Sequence, residues 1–124
     1  MKILFRLPPA HQPLLSEPEL HVMPGRVCEI RYSYQRDETG REGRHIIAFL
    51  DVVAFKLTYL PAMSAEMFDT AYCRVVDLGD SAWLKEIMSV RVANSSPIMH
   101  VRLTLDDGPC YEFICGGVRL PDES

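Results

Sequence analysis

The residues best suited to chemistry lie near the C-terminal end of the chain. His100, Arg102 and Thr104 alternate with Met99, Val101 and Leu103, and Glu112 follows between Tyr111 and Phe113. An imidazole, a guanidinium and a carboxylate on one face of a curled sheet could line a pocket for an anionic or polar ligand, or run acid–base chemistry. On a flatter sheet the same row is a solvated face with ordinary cross-strand pairs, and that is the reading we expect. Asp106 and Asp107 precede Gly108. The trio matches the start of a calcium loop, but the rest of the twelve-residue ligand pattern is missing, and Asp and Gly are standard turn residues. We expect no metal.

The four cysteines are Cys28, Cys73, Cys110 and Cys115. Cys110 and Cys115 are five positions apart, so an uninterrupted strand points them to opposite faces and they cannot share one ion. A nucleophilic pair of Cys115 with His100 fails for the same reason, which leaves buried, inert thiols. His11 and His21 sit in a proline-rich stretch, and His45 opens an apolar one. There is no HExxH, Gly-rich phosphate loop, nucleophile elbow or dinucleotide fingerprint. No cofactor is expected.

Several elements must position these residues. Residues 1–26 hold five of the nine prolines and read as an extended arm, with a short strand at 2–7 and Leu4, Leu14, Leu15 and Leu20 as anchors. Cys28, Ile30, Tyr32 and Tyr34 alternate with Glu29, Arg31 and Ser33, the pattern of a half-buried strand. Residues 35–43 carry charge and two glycines but no aliphatic residue, which marks a solvated hairpin loop. The apolar stretch 45–60 fits either a helix or two strands broken near Asp51. Its β-branched and aromatic residues favour strands. Residues 61–70 form a connection with a helical turn from Ser64, and 71–77 a short strand. Asp80 or Ser81 caps a helix over about residues 81–93, with Trp83, Leu84, Ile87 and Met88 on one stripe. Trp83 is a core anchor on that reading, and an interface hot spot if the stripe outgrows what the sheet covers.

The last two strands close a hairpin. A two-residue turn at Asp107-Gly108 would put Glu112 in the core. A three-residue loop, or a longer one of the same parity, keeps the apolar sides together. The three-residue version pairs Leu103 with Phe113 and Thr104 with Glu112. Gly116-Gly117 marks a corner.

The whole chain has 124 residues, 48% hydrophobic and 24% charged, with net charge −4. That is the composition of one soluble globular domain rather than a disordered chain. We divide it into the arm (1–26), a globular domain (27–120) and a frayed tail (121–124). Arg36, Arg41 and Arg44 are interleaved with Asp37, Glu38 and Glu42, so a nucleic-acid partner is not expected. No apolar run is long enough to span a bilayer. The run before Arg6 is too short for a signal peptide. These features point to a cytoplasmic protein with reduced thiols.

The segments Asp80-Ser81-Ala82-Trp83-Leu84, His100 to Leu103, Asp106-Asp107-Gly108 and Cys110-Tyr111-Glu112-Phe113-Ile114 together resemble small uncharacterised bacterial proteins in which a capped helix precedes a closing hairpin. Some of these look like immunity proteins, which bind and block a cognate toxin. The resemblance covers about the last third of the chain. It implies a binding protein and transfers no catalytic residue.

The expected fold is α+β: a mainly antiparallel curved sheet or partly open barrel covered by one helix. The expected function is a non-catalytic binding or protein-interaction module whose acidic surface, with Asp106, Asp107 and Glu112, meets a protein partner. The alternatives are a ligand-binding or enzymatic pocket built on His100, Arg102 and Glu112, and a homo-oligomer joined through a sheet edge or Trp83.

Overall fold

The computed structural model describes residues 1–7, 17–35, 40–91, 96–105 and 109–121. Asp106 and Asp107, the anchors Leu14 and Leu15, and the end of the expected helix at 92–93 lie outside the described residues. In chain order the elements are β1 (Lys2–Arg6), β2 (Glu19–Met23), β3 (Val27–Gln35), β4 (Glu42–Leu50), β5 (Ala54–Thr58), a 3-10 turn (Leu60–Ala62), α1 (Ala65–Ala71), β6 (Arg74–Asp77), α2 (Ala82–Ser89), β7 (Met99–Thr104), β8 (Cys110–Cys115) and β9 (Gly117–Arg119).

The fold is α+β and antiparallel throughout its strand pairs. Its strands divide into two sheets, β1-β6-β7-β8-β5 and β2-β3-β4-β9, with no closed barrel. Two side-chain layers follow from this. Between the sheets, Ile30, Ile47, Phe49, Val75, Val101, Leu103 and Phe113 are fully or almost fully buried. Phe49 and Phe113 stack across the gap with centroids 3.8 Å apart. On the other face of the larger sheet, α1 and α2 pack against β6 and β7 and bury Ala71, Leu84, Val76 and Ile114.

The stretch 45–60 does resolve into two strands, but in different sheets. Asp51 takes a left-handed conformation (φ 53°) where the chain crosses over. The return crossing, at Gly116 between β8 and β9, lies beside it: Gly116 N–H donates to Leu50 O at 2.9 Å. A Cβ on Gly116 would stand 3.0 Å from the Asp51 Cβ, so a larger residue at this corner would have to push Asp51 aside by a few tenths of an ångström.

Two described parts of the proline-rich stretch are strands. β1 pairs with β6 and β2 with β3, each as the outer strand of its sheet. Prolines are tolerated at the ends of such edge strands, and Pro18 and Pro24 flank β2 in that way. Two helices cover the sheet rather than one. The turn at Ser64 extends into α1, capped by Ser64 Oγ accepting from Met67 N–H at 3.3 Å. The helix expected over about 81–93 ends at Ser89, with Ser81 as its cap. The closing hairpin has the expected parity, but its loop is longer. Leu103 faces Tyr111, and it is Arg102, not Thr104, that stands opposite Glu112.

Cys28 and Cys115 lie between the sheets, and Cys110 lies on the helix-covered face. Burial pushes the Cys110 thiol up to about 12 and the Cys115 thiol up to about 11. An aromatic disulfide reagent at pH 8 should therefore modify these three thiols only as fast as the protein opens, and all four cysteines at once in denaturant. Rapid modification of Cys110 in the native protein would contradict this placement.

Candidate functional site

The polar row is gathered into one cluster, but not on a solvated face. His100, Arg102, Thr104 and Glu112 are 2%, 7%, 0% and 0% exposed, beneath α1 and α2. The expectation of an outer, wetted face fails because α1 and α2 together close over the row. Glu112 therefore cannot serve as a surface acid toward a partner.

Glu112 is the hub. Its Oε1 accepts from His100 Nε2 at 2.9 Å and from Arg102 Nε at 2.9 Å, with Arg102 Nη2 also at 2.9 Å. The Lys56 ammonium of β5 stands 3.7 Å from Oε2. Burial alone would raise this carboxyl, but the His100 hydrogen bond and the charges of Arg102 and Lys56 outweigh it and hold the group below the ordinary carboxylate range.

Two arms reach from the hub to the helices. Arg102 Nη1 donates to Glu66 Oε1 at 2.9 Å and to Thr70 Oγ1 at 3.0 Å, which ties α1 to β7. His100 Nδ1 lies 2.6 Å from Ser81 Oγ, the cap of α2, which also accepts from Leu84 N–H at 3.1 Å. A carboxylate can only accept, so Nε2 carries the ring proton. In the neutral imidazole Nδ1 then accepts the Ser81 hydroxyl proton. Trp83 is half-buried. Its ring meets His100 edge-on at 5.2 Å and carries the Lys56 ammonium 4.4 Å above it. It lies at the rim of the polar cluster rather than inside the main core.

Sequence reasoning found the row and missed Ser81, Glu66, Thr70 and Lys56 as its partners. Ser81 was legible only as a helix cap, and nothing in its neighbourhood signals a histidine 19 positions away.

Two surface concavities lie elsewhere. One, of about 350 Å³, is a polar cleft on the smaller sheet lined by Arg31, Arg44, Tyr32 and His45 among others. Tyr32 and Tyr34 hydroxyls lie 2.9 and 3.3 Å from the two His45 ring nitrogens, and burial lowers the affinity of that ring for a proton. The other, of about 320 Å³, is an apolar groove where β2 and β5 come together at one side of the two-sheet stack. Val22, Met23, Val53, Ala54 and Phe55 line it, with Arg26 the charged residue of its lining. Val22 is 64% exposed and Phe55 43%. Val22 pairs with core-facing Cys28, and Phe55 with core-facing Phe113. These are inward-type side chains that the opposite sheet leaves uncovered. Neither concavity is lined by His100, Arg102 or Glu112.

Among the described residues no group of three or more His, Cys, Asp or Glu is placed to hold a metal ion, and no helix is long and apolar enough to cross a membrane. No protein-family model, curated protein or solved structure matches this chain.

Proposed function

We propose that this chain is a protein-binding module that receives an extended segment of a partner protein along the β5 edge. The observation that carries the reading is the apolar groove between the outer strands β2 and β5. Scattered exposed apolar residues need no explanation, but a contiguous set in a concavity marks an interaction site. Strand β5 hydrogen-bonds to β8 on one side, and no other strand pairs with it among the described residues. Such an edge offers main-chain donors and acceptors to an added strand, while neighbouring pockets select side chains. Edge strands are commonly guarded by lysine. The lysine here, Lys56, is drawn over Trp83 and toward Glu112, on the strand face opposite Phe55. Glu112 is fully buried and so offers no contact to a partner, which favours this groove in our reading.

The test is a photo-crosslinking residue placed at position 55 in the native host. An adduct with a second protein, lost when Val22→Asp is added and absent when the label sits at Arg119, supports the reading. Absence of any adduct overturns it. An adduct only with further copies of this chain replaces it with the homo-oligomer.

A further inference from the structure

We propose that Ser81, His100 and Glu112 form a nucleophilic site that accepts acyl groups from activated esters or thioesters. This activity goes beyond the binding role and rests on different residues. The geometry is a line of hydrogen bonds: Ser81 Oγ to His100 Nδ1 at 2.6 Å, then His100 Nε2 to Glu112 Oε1 at 2.9 Å. The ionised carboxylate fixes the ring tautomer, so the basic nitrogen faces the serine hydroxyl. A serine is activated in this way when a base, itself oriented by a third group, takes its proton. Arg102 is a positioning residue, since its two contacts hold the Glu112 oxygen that orients the ring.

Ser81 is half-buried, unlike His100 and Glu112. It stands at the start of the eight-residue helix α2. Leu84 and Lys85 N–H groups bond back to Ser81. The Ala82 and Trp83 N–H groups have no intrahelical acceptor, and in the proposal they would donate to the developing oxyanion. Trp83 supplies an apolar neighbour for the acyl chain.

In the proposed step Ser81 Oγ forms a bond to the acyl carbon, and its proton passes to His100 Nδ1. The bond to the leaving alkoxide or thiolate breaks, and that group takes the proton from His100. Water then attacks the acyl-serine, gives its proton through His100 back to Ser81 Oγ, and releases the acid.

The probe is an alkyl fluorophosphonate on the wild-type protein, read by intact mass and peptide mapping. One adduct per chain, on Ser81, is expected. Hydrolysis of p-nitrophenyl acetate should fall at least about 100-fold in Ser81→Asn, a variant that keeps the helix cap. No adduct, an adduct on another residue, or unchanged hydrolysis in a natively folded Ser81→Asn overturns the proposal. Should Ser81→Asn fail to fold, the wild-type adduct map decides alone.

Discussion

Glu112→Ala should cost about 3–5 kcal/mol of folding stability, because it removes the fully buried carboxylate on which His100 and Arg102 converge. Arg102, 7% exposed, would lose the acceptor of its Nε and Nη2 groups, and His100 would lose its Nε2 partner. A single domain of this size is stable by only about 5–15 kcal/mol. With a urea slope near 2 kcal/mol per M, the midpoint should drop by about 2 M. Glu66 is the control. It also bonds Arg102, but its side chain is 64% exposed, so Glu66→Ala should cost about 0–1 kcal/mol. Equal, small losses for the two variants would contradict the assignment of Glu112 as the hub.

Phe49→Ala tests the other layer. Phe49 is fully buried, and its ring stacks on Phe113 at 3.8 Å, where the two sheets meet. Truncation removes the transfer energy of the ring and leaves a cavity that two rigid sheets cannot collapse to fill. A loss of about 3–5 kcal/mol is expected by urea denaturation. A cost near 1 kcal/mol would mean that the sheets do not close on one another here.

These two residues also show what was legible in the sequence and what was not. Period-two alternation separates polar from apolar faces, so it placed Phe113 in the core and put His100, Arg102 and Glu112 together on the other side. Alternation is silent on what covers a polar face. The cover here is α1 and α2, and the seven residues of α1 are too few for a strong amphipathic signal. The pairing of Arg102 with Glu66 spans 36 positions and leaves no local trace. Strand β2 was obscured for a different reason: the prolines on either side of it read as an arm, although they are compatible with an edge strand. Hairpin parity was readable because a one-residue slip reverses every side chain. A two-residue shift preserves the faces, so Arg102 rather than Thr104 opposite Glu112 could be found only in the structure.

The state of the Glu112 carboxyl connects the structural clamp to the Ser81 line, since both need it ionised. Its depressed pKa means that it stabilises the fold above the ordinary value of 4.5, and that this contribution is lost as pH falls through the lower folded value. The most direct test is a pH titration of the Glu112 side-chain carboxyl carbon by NMR in the folded protein. A resonance that remains that of a carboxylate well below pH 4.5 is expected. A carboxyl that titrates at or above 4.5 would contradict an ionised hub held by His100, Arg102 and Lys56.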